Sequence, residues 1–269
     1  MGKINLLPPS VAELIAAGEV IDRPASIVKE LVENAVDAGA TKVTVEIQGG
    51  GGIRYIRVTD NGTGIAREDV ENAFLRHATS KVKNEEDLTR IMTMGFRGEA
   101  LASIAAMCRV ELLTRTAEEI AGTRYAISGG EPGELSDAGC PTGTTITVRD
   151  VFFNTPARMK FLKKDVSEGN SVAAAVEKAA LGNPGVAVKF LRDGVVRLQT
   201  PGDGQVLSTV RCVLGREFSE NAIPVRYEAN GLTLDGVISR PSFARGSRGL
   251  QNFFINTRFV RSKTCMAAL

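Results

Sequence analysis

Residues 29–39 read KELVENAVDAG, and inside eight positions they carry Glu30, Glu33, Asn34 and Asp37. At about 100° per residue, a helix sets Asn34 about 40° to one side of Glu30, with Asp37 about 20° and Glu33 about 60° to the other. Val28, Leu31, Val32, Ala35 and Val36 fall on the opposite face, which makes an amphipathic helix with a packed apolar side. Gly39 stands where such a helix would stop. The polar side is unusual. Glu33 and Asp37 are like charges one turn apart, Asn34 is a poor interior helix residue, and no basic residue falls in the arc. A solvated face is the ordinary outcome for charged side chains. The chemical alternative is oxygen donors grouped to hold a hard cation or to orient a water. The helix by itself leaves both open.

Other stretches add candidates. Asp60-Asn-Gly-Thr-Gly-Ile65 follows an expected strand. A strand-end aspartate can accept a hydrogen bond from an exocyclic amine such as that of adenine, and the glycines allow close backbone approach, although Asp-Asn-Gly is also good turn chemistry. Gly95-Phe-Arg-Gly-Glu-Ala-Leu101 places two glycines ahead of a helix start, where backbone N–H groups and Arg97 can face phosphate oxygens. Gly143-Thr144 leads into a strand, and Arg76-His-Ala-Thr-Ser-Lys81 is a polar knot holding the chain's only histidine, His77. There is no G-x-x-x-x-G-K-[ST] phosphate loop and no G-x-S-x-G nucleophile elbow.

The elements that must position these groups are readable from periodicity. Helices are expected over residues 9–39, broken near Gly18 and Pro24, and over 67–76, 85–94, 99–107, 167–181 and 206–214. Strands are expected at 43–47, 53–60, 109–114, 123–127, 144–148, 186–191, 195–198, 224–227, 232–238 and 251–255, with a further helix starting at 264. The first two strands read as a hairpin around Gly49–Gly52. Helices and strands mix without a βαβ rhythm, so the fold class is α+β, an α/β sandwich with helices on one face of a mixed sheet. The breaker run Thr200-Pro-Gly-Asp-Gly204 divides a first domain, 1–203, from a second, 204–269.

With 269 residues, 43% hydrophobic and 24% charged, the chain suits globular cores. No apolar run approaches the roughly 18 to 20 residues of a membrane span, and the first residues lack the apolar core of an export signal. Cys108, Cys140, Cys212 and Cys265 form no CxxC pair, which argues against zinc and fits a reducing, cytoplasmic setting. Net charge is only +2, yet no acid occurs from Gly236 to Leu269. The basic residues there suit either a nucleic-acid backbone or another interface.

Taken in order, the acidic helix with Glu30 and Asn34, the D-x-G-x-G stretch, the G-x-x-G turn and Gly143-Thr144 resemble the ATPase fold shared by gyrase B, Hsp90, histidine kinases and MutL. Finer strings narrow this: Ile15-Ala-Ala-Gly-Glu-Val20, Arg23-Pro-Ala-Ser26, Gly95-Phe-Arg-Gly-Glu-Ala-Leu101 and Asn154-Thr-Pro-Ala-Arg158 look like the MutL family of DNA mismatch-repair ATPases. The resemblance is dense from about Leu6 to Arg158 and looser to Leu269. It implies ATP and Mg²⁺ as ligands. Glu30 would activate the attacking water and Asn34 would bind Mg²⁺. Asp60 would read adenine, with Gly64 and Thr144 beside it. Lys81, Gly95, Phe96, Arg97 and Gly98 would close over the phosphates as a lid. It further implies an N-terminal arm, residues 6–21, that orders with ATP, a homodimer gated by ATP, and DNA held by Arg258, Arg261 and Lys263. The implied partners are a mismatch-recognition protein of the MutS family and a downstream nuclease or helicase, with no membrane, in the cytoplasm or, in a bacterium, on the nucleoid. A topoisomerase or Hsp90-type ATPase, or a DNA-binding module without catalysis, are the alternatives. Family members run on through a second domain that sends a lysine to the γ-phosphate, so an incomplete second domain and slow or impaired ATP hydrolysis are expected here.

Overall fold

The computed structural model describes residues 9–49, 53–81, 93–95 and 98–269. Two helices come first, α1 (Pro9–Val20) and α2 (Pro24–Asp37). Pro24 suits the first turn of α2, where an N–H would have no helical partner. At the other end Gly39 N–H donates to Val36 O at 2.9 Å and Ala40 N–H to Ala35 O at 3.1 Å. Gly39 sits at φ 71°, so this crossed pair satisfies carbonyls that the helix end would otherwise orphan.

One eight-stranded sheet follows, in the order β5-β4-β3-β6-β2-β1-β7-β8. Its strands are β1 (Lys42–Gly49), β2 (Ile53–Asp60), β3 (Arg109–Arg115), β4 (Gly122–Ser128), β5 (Glu131–Ala138), β6 (Gly143–Arg149), β7 (Ala187–Arg192) and β8 (Val195–Gln199). β1 and β2 are the expected antiparallel hairpin, and β1 pairs parallel with β7, so the sheet is mixed. Helix α3 (Ala100–Met107) precedes β3, and α4 (Asp165–Gly182) precedes β7.

Alternate residues of the strands, among them Val43, Val45, Ile47, Ile56, Val58, Val110, Leu112, Ile146, Val148, Val188 and Phe190, are buried. A period of two puts them all on one face. Ile27, Val28, Leu31, Val32 and Ala35 of α2 join the same core, with Val172, Val176 and Ala180 of α4. Each such buried aliphatic contributes about 1.5–3 kcal/mol. That packing fixes which side of α2 turns outward, and it is the side bearing Glu30, Glu33, Asn34 and Asp37. Arg23, just ahead of α2, clamps Glu168 of α4 at 3.0 Å, and the Glu168 side chain is only 3% exposed. Glu168 also accepts the Lys163 N–H at 3.0 Å.

After Gln199 come α5 (Val206–Leu214), the hairpin of β9 (Ala222–Ala229) and β10 (Leu232–Ser239), and a smaller hairpin of β11 (Phe253–Ile255) and β12 (Arg258–Val260). A short helix, Lys263–Ala268, ends the chain. The β11–β12 hairpin lies on α4. Lys178 Nζ sits 4.3 Å above the Phe259 ring, and Phe254 packs where a Gly182 side chain would stand.

Several elements differ from the sequence expectation. Residues 67–76 form two 3₁₀ turns, Arg67–Asp69 and Asn72–Phe74, rather than one helix. The Arg67 N–H is taken by Glu119 Oε1 at 2.9 Å, and the buried Val70 and Phe74 anchor one turn each. Strand β5 was not expected; it is a mostly exposed edge strand carrying Pro132 and no apolar alternation. The expected helix at 85–94 lies outside the described residues up to 92. No described helix is long and apolar enough to cross a membrane. All four cysteines are free, and burial pushes the Cys108 thiol up to about 12.

Candidate nucleotide site

Asp37, on the last turn of α2, is the hub of the polar face. Its Oδ1 accepts the Met94 N–H at 2.8 Å, and its Oδ2 accepts the Gly95 N–H at 2.9 Å. Lys81 Nζ reaches the same Oδ2 at 2.5 Å and Asn34 Oδ1 at 3.0 Å. Asp37 is 5% exposed and Lys81 20%. A carboxylate that accepts two backbone N–H groups and an ammonium is satisfied enough to stay charged in such a place. A side chain on Gly95 would point at Lys81 Nζ, Asn34 Oδ1 and Asp37 Oδ2, between 3.1 and 3.6 Å away. The chain therefore brings Asn34, Asp37, Lys81 and Gly95 to one spot from three separate stretches of sequence. Asp37 had been read as a supporting polar group, and its support is specific: it holds the turn at residues 94–95 against α2.

The reading that α2's acidic arc has no basic partner needs correcting. Lys29 Nζ lies 2.9 Å from Glu30 and 3.2 Å from Glu33, while Lys81 serves Asp37. Lys29 is reached because its long stem bends around the helix, which a projection of Cα directions does not register. Glu30 stays 24% exposed at the rim. Burial pushes the Glu33 carboxyl up, against the opposing charges of Lys29 and then Arg258.

At the end of β2, Asp60 Oδ1 accepts the Gly62 N–H at 2.8 Å and, more weakly, the Thr144 N–H of β6 at 3.3 Å. Burial pushes this carboxyl up, with the two backbone donors pulling the other way. Asp60 Oδ2 receives no hydrogen bond from the described residues. Gly64 has φ 75°, and a Cβ there would fall 2.2 Å from Arg115 O, so glycine is required at this bend. Thr63 N–H donates to Ala38 O at 3.0 Å, which docks the loop on the C-terminal end of α2. Thr114 on β3, which the sequence reading missed, ties the rest together. Its hydroxyl accepts the Ile65 N–H at 2.9 Å, donates to Gly143 O at 3.1 Å and lies 3.1 Å from the Thr144 hydroxyl.

Gly98, ahead of α3, accepts the His77 N–H at 2.9 Å through its carbonyl, which brings the residue 76–81 knot against the glycine turn. His77 itself is 77% exposed and 3.7 Å from Glu99. Phe96 and Arg97 lie outside the described residues. Arg158 is a second residue that sequence reasoning did not place. Its Nη1 donates to Gly18 O at 2.8 Å, and any side chain on Gly18 would overlap the guanidinium. The glycine of I-A-A-G-E-V and the arginine of N-T-P-A-R are thus one contact, which holds α1 to the core.

The basic hairpin divides. Arg258 turns inward and donates to the Met94 carbonyl. Arg261 faces Lys178 of α4, lowering the pKa of that lysine further after burial, and Lys263 is exposed. A cavity of about 600 Å³ lined by Arg115, Ile120 and Cys140 shares no residue with the α2 cluster.

Among the described residues no three His, Cys, Asp or Glu side chains gather as a metal cage. A single amide oxygen at Asn34 beside acidic groups suits Mg²⁺, which usually takes one or two protein oxygens and completes its shell with phosphate and water.

Comparison with known proteins agrees with this geometry. The family described as histidine kinase-, DNA gyrase B-, and HSP90-like ATPase matches residues 22–128. The family described as DNA mismatch repair protein, C-terminal domain, matches residues 210–269. The DNA mismatch repair protein MutL of Agathobacter rectalis is 46% identical over 269 residues, 100% of this chain and 41% of that protein. MutL of Symbiobacterium thermophilum is 46% identical over the same length, 42% of its own. The chain thus spans about four-tenths of the curated relatives it matches. Among solved structures, the Aquifex aeolicus MutL ATPase domain complexed with ADP superposes with a TM-score of 0.73 at 33% identity, over 92% of this chain and 87% of that one. The mismatch-repair match at residues 210–269 separates the chain from gyrase and Hsp90 relatives of the same fold. The chain belongs to the MutL family of DNA mismatch-repair proteins and carries that family's ATPase region.

Proposed function

We propose that the chain binds and hydrolyses Mg²⁺-ATP, and that nucleotide binding gates the pairing of two copies on DNA. The observation that carries this is the convergence of Asn34, Asp37, Lys81 and Gly95 beside Glu30. Phosphoryl transfer to water needs positioning and charge neutralisation more than a strong base. Bound Mg²⁺ would supply the charge that phosphate oxygens require. Asn34 Oδ1 would hold it, Lys81 and the residue 95 and 98 backbone would face the phosphates, and Glu30, half a turn outward on the rim, would orient the attacking water. Asp60, supported by Gly64 and Thr144, would accept the adenine amine.

In the same reading, residues 1–203 are the nucleotide-binding unit and 204–269 begin a DNA-contacting one. The α1 arm, pinned by Arg158, lies at the pairing surface, and Arg261 and Lys263 track DNA phosphates. The paired state would couple a MutS-family mismatch sensor to a downstream nuclease or helicase. The test is Mg²⁺-dependent binding of a non-hydrolysable ATP analogue with molar mass followed by light scattering in the same samples. Tight binding with a monomer-to-dimer shift is expected. Binding without a mass change would remove the pairing step, and no binding would return the α2 face to a solvated surface.

A further inference from the structure

The Met94–Gly95 turn is gripped from two sides. On one side, Asp37 of α2 takes the N–H groups of Met94 and Gly95 at 2.8 and 2.9 Å. On the other, the carbonyl of Met94 accepts from the guanidinium of Arg258, the first residue of β12. Residues 164 positions apart therefore meet at the backbone that leads into Gly95, beside Lys81 and Asn34. The hairpin that supplies Arg258 is itself seated on α4 through Phe254 and through Phe259 under Lys178, and α4 packs on α2 and, through Glu168, on Arg23. Three and five residues beyond Arg258 stand the outward-facing Arg261 and Lys263. A short β-hairpin is stiff over that distance, so a load on one end is felt at the other.

We infer that Arg258 is a positioning residue for the nucleotide turn rather than a DNA contact, and that the β11–β12 hairpin thereby couples DNA binding to nucleotide binding. The inference rests on the ATPase reading above and names its regulation. Arg258 is suited to the task by chemistry. A guanidinium stays charged at any physiological pH and has several donors in a fixed plane, so it can hold one carbonyl while its charge also acts on Glu33. DNA phosphates drawn to Arg261 and Lys263 would fix the hairpin, keep Arg258 on the Met94 carbonyl and so pre-order the turn for nucleotide. By linkage, nucleotide must then tighten DNA binding by the same factor.

The experiment measures the affinity of a non-hydrolysable ATP analogue with and without a saturating duplex, and of the duplex with and without the analogue. The chains compared are wild type, Arg258→Gln, Arg258→Lys, and the double variant Arg261→Glu with Lys263→Glu. Wild type is expected to show reciprocal tightening of at least about 5-fold, the lower end of usual coupling energies. Arg258→Gln should keep its DNA affinity in the absence of nucleotide but lose the tightening, and Arg258→Lys should recover part of it, which a merely misfolded hairpin would not. Wild-type coupling in Arg258→Gln would overturn the inference. So would a loss of DNA affinity in Arg258→Gln as large as that of the double variant. If wild type binds both ligands but independently, the coupling is wrong while the ATPase reading stands. If wild type binds no nucleotide, the ATPase reading falls and takes this inference with it.

Discussion

Asp37 and Arg261 are both charged residues near the end of an element, and both were picked out by sequence pattern, yet the molecule treats them oppositely. Asp37 is 5% exposed and bonded to two backbone N–H groups and an ammonium. Arg261 is exposed and acts on its neighbourhood only through the field it exerts on Lys178. The α2 cluster recognises by fixed geometry, in a place where charge interactions are little screened. The β11–β12 surface works by charge density in water, where interactions reach only about a Debye length, roughly 8–10 Å at ordinary salt. Substitutions should therefore act on different quantities in the two regions, and the sharpest tests are those that separate these quantities.

The largest effect is expected at the rim of the α2 cluster. Glu30→Ala should lower turnover by about 10²–10⁴-fold, the range for loss of a positioned base, while analogue affinity stays close to wild type. Single-turnover hydrolysis and equilibrium binding on the same preparation check both halves. Loss of binding in step with loss of turnover would mean that Glu30 acts through Asn34 and the cation rather than through water.

How much of this was legible beforehand differs between the two regions for a physical reason. Strands β1 to β4 and β6, and helices α2 and α4, announce themselves because one buried face imposes a period of two or of about 3.6. The exposed edge strand β5 has no such face and was missed. Within the site, Glu30, Asn34, Asp60 and Gly64 stand in dense, spaced motifs. Asp37's task was hidden because its partners are the backbone N–H groups of Met94 and Gly95, and every residue type has one of those. Arg158 and Gly18 were each noticed as part of a string but not as a pair, since nothing local says that a guanidinium lies on a helix carbonyl 140 residues away. The inward turn of Arg258 was hidden by the same kind of partner, a main-chain carbonyl. Charge pattern reveals where cations are, and only packing decides which way they face.

A middle-sized effect is expected at Asp60, where recognition works against stability. Burial raises its carboxyl in the folded chain above the model 3.8. Between 3.8 and that raised value the folded chain holds more protons than the unfolded chain, so stability falls as pH rises through that window. At neutral pH the charged form is thus a cost that the fold carries. Asp60→Asn removes the titration and keeps a carbonyl-type oxygen for the Gly62 and Thr144 donors. Thermal melts from pH 4 to 7 should show a smaller stability loss with rising pH for Asp60→Asn than for wild type, with neutral-pH stability equal or higher. The same variant should lose preference for ATP over GTP. Unchanged selectivity would move adenine recognition elsewhere, whatever the melts showed.

The smallest effect on the fold, and the one that most directly contrasts the two regions, belongs to the outward basic residues. Arg261→Glu with Lys263→Glu changes side chains that are exposed and that no ion pair or hydrogen-bonded network holds through its charged end, so stability should move by no more than about 0.5 kcal/mol. DNA affinity should fall, and its dependence on salt should flatten, because each lost phosphate contact removes about 0.9 from the slope of log affinity against log salt. The slope matters more than the affinity. A variant that weakened binding by disturbing Arg258 or the seat of the hairpin on α4 would lower affinity at every salt concentration and leave the slope where it was. A flatter slope with an unchanged melt would assign Arg261 and Lys263 to the phosphate backbone. An unchanged slope would place the DNA-contacting surface on another face of the chain, and the hairpin would then be left with the inward task of Arg258 alone.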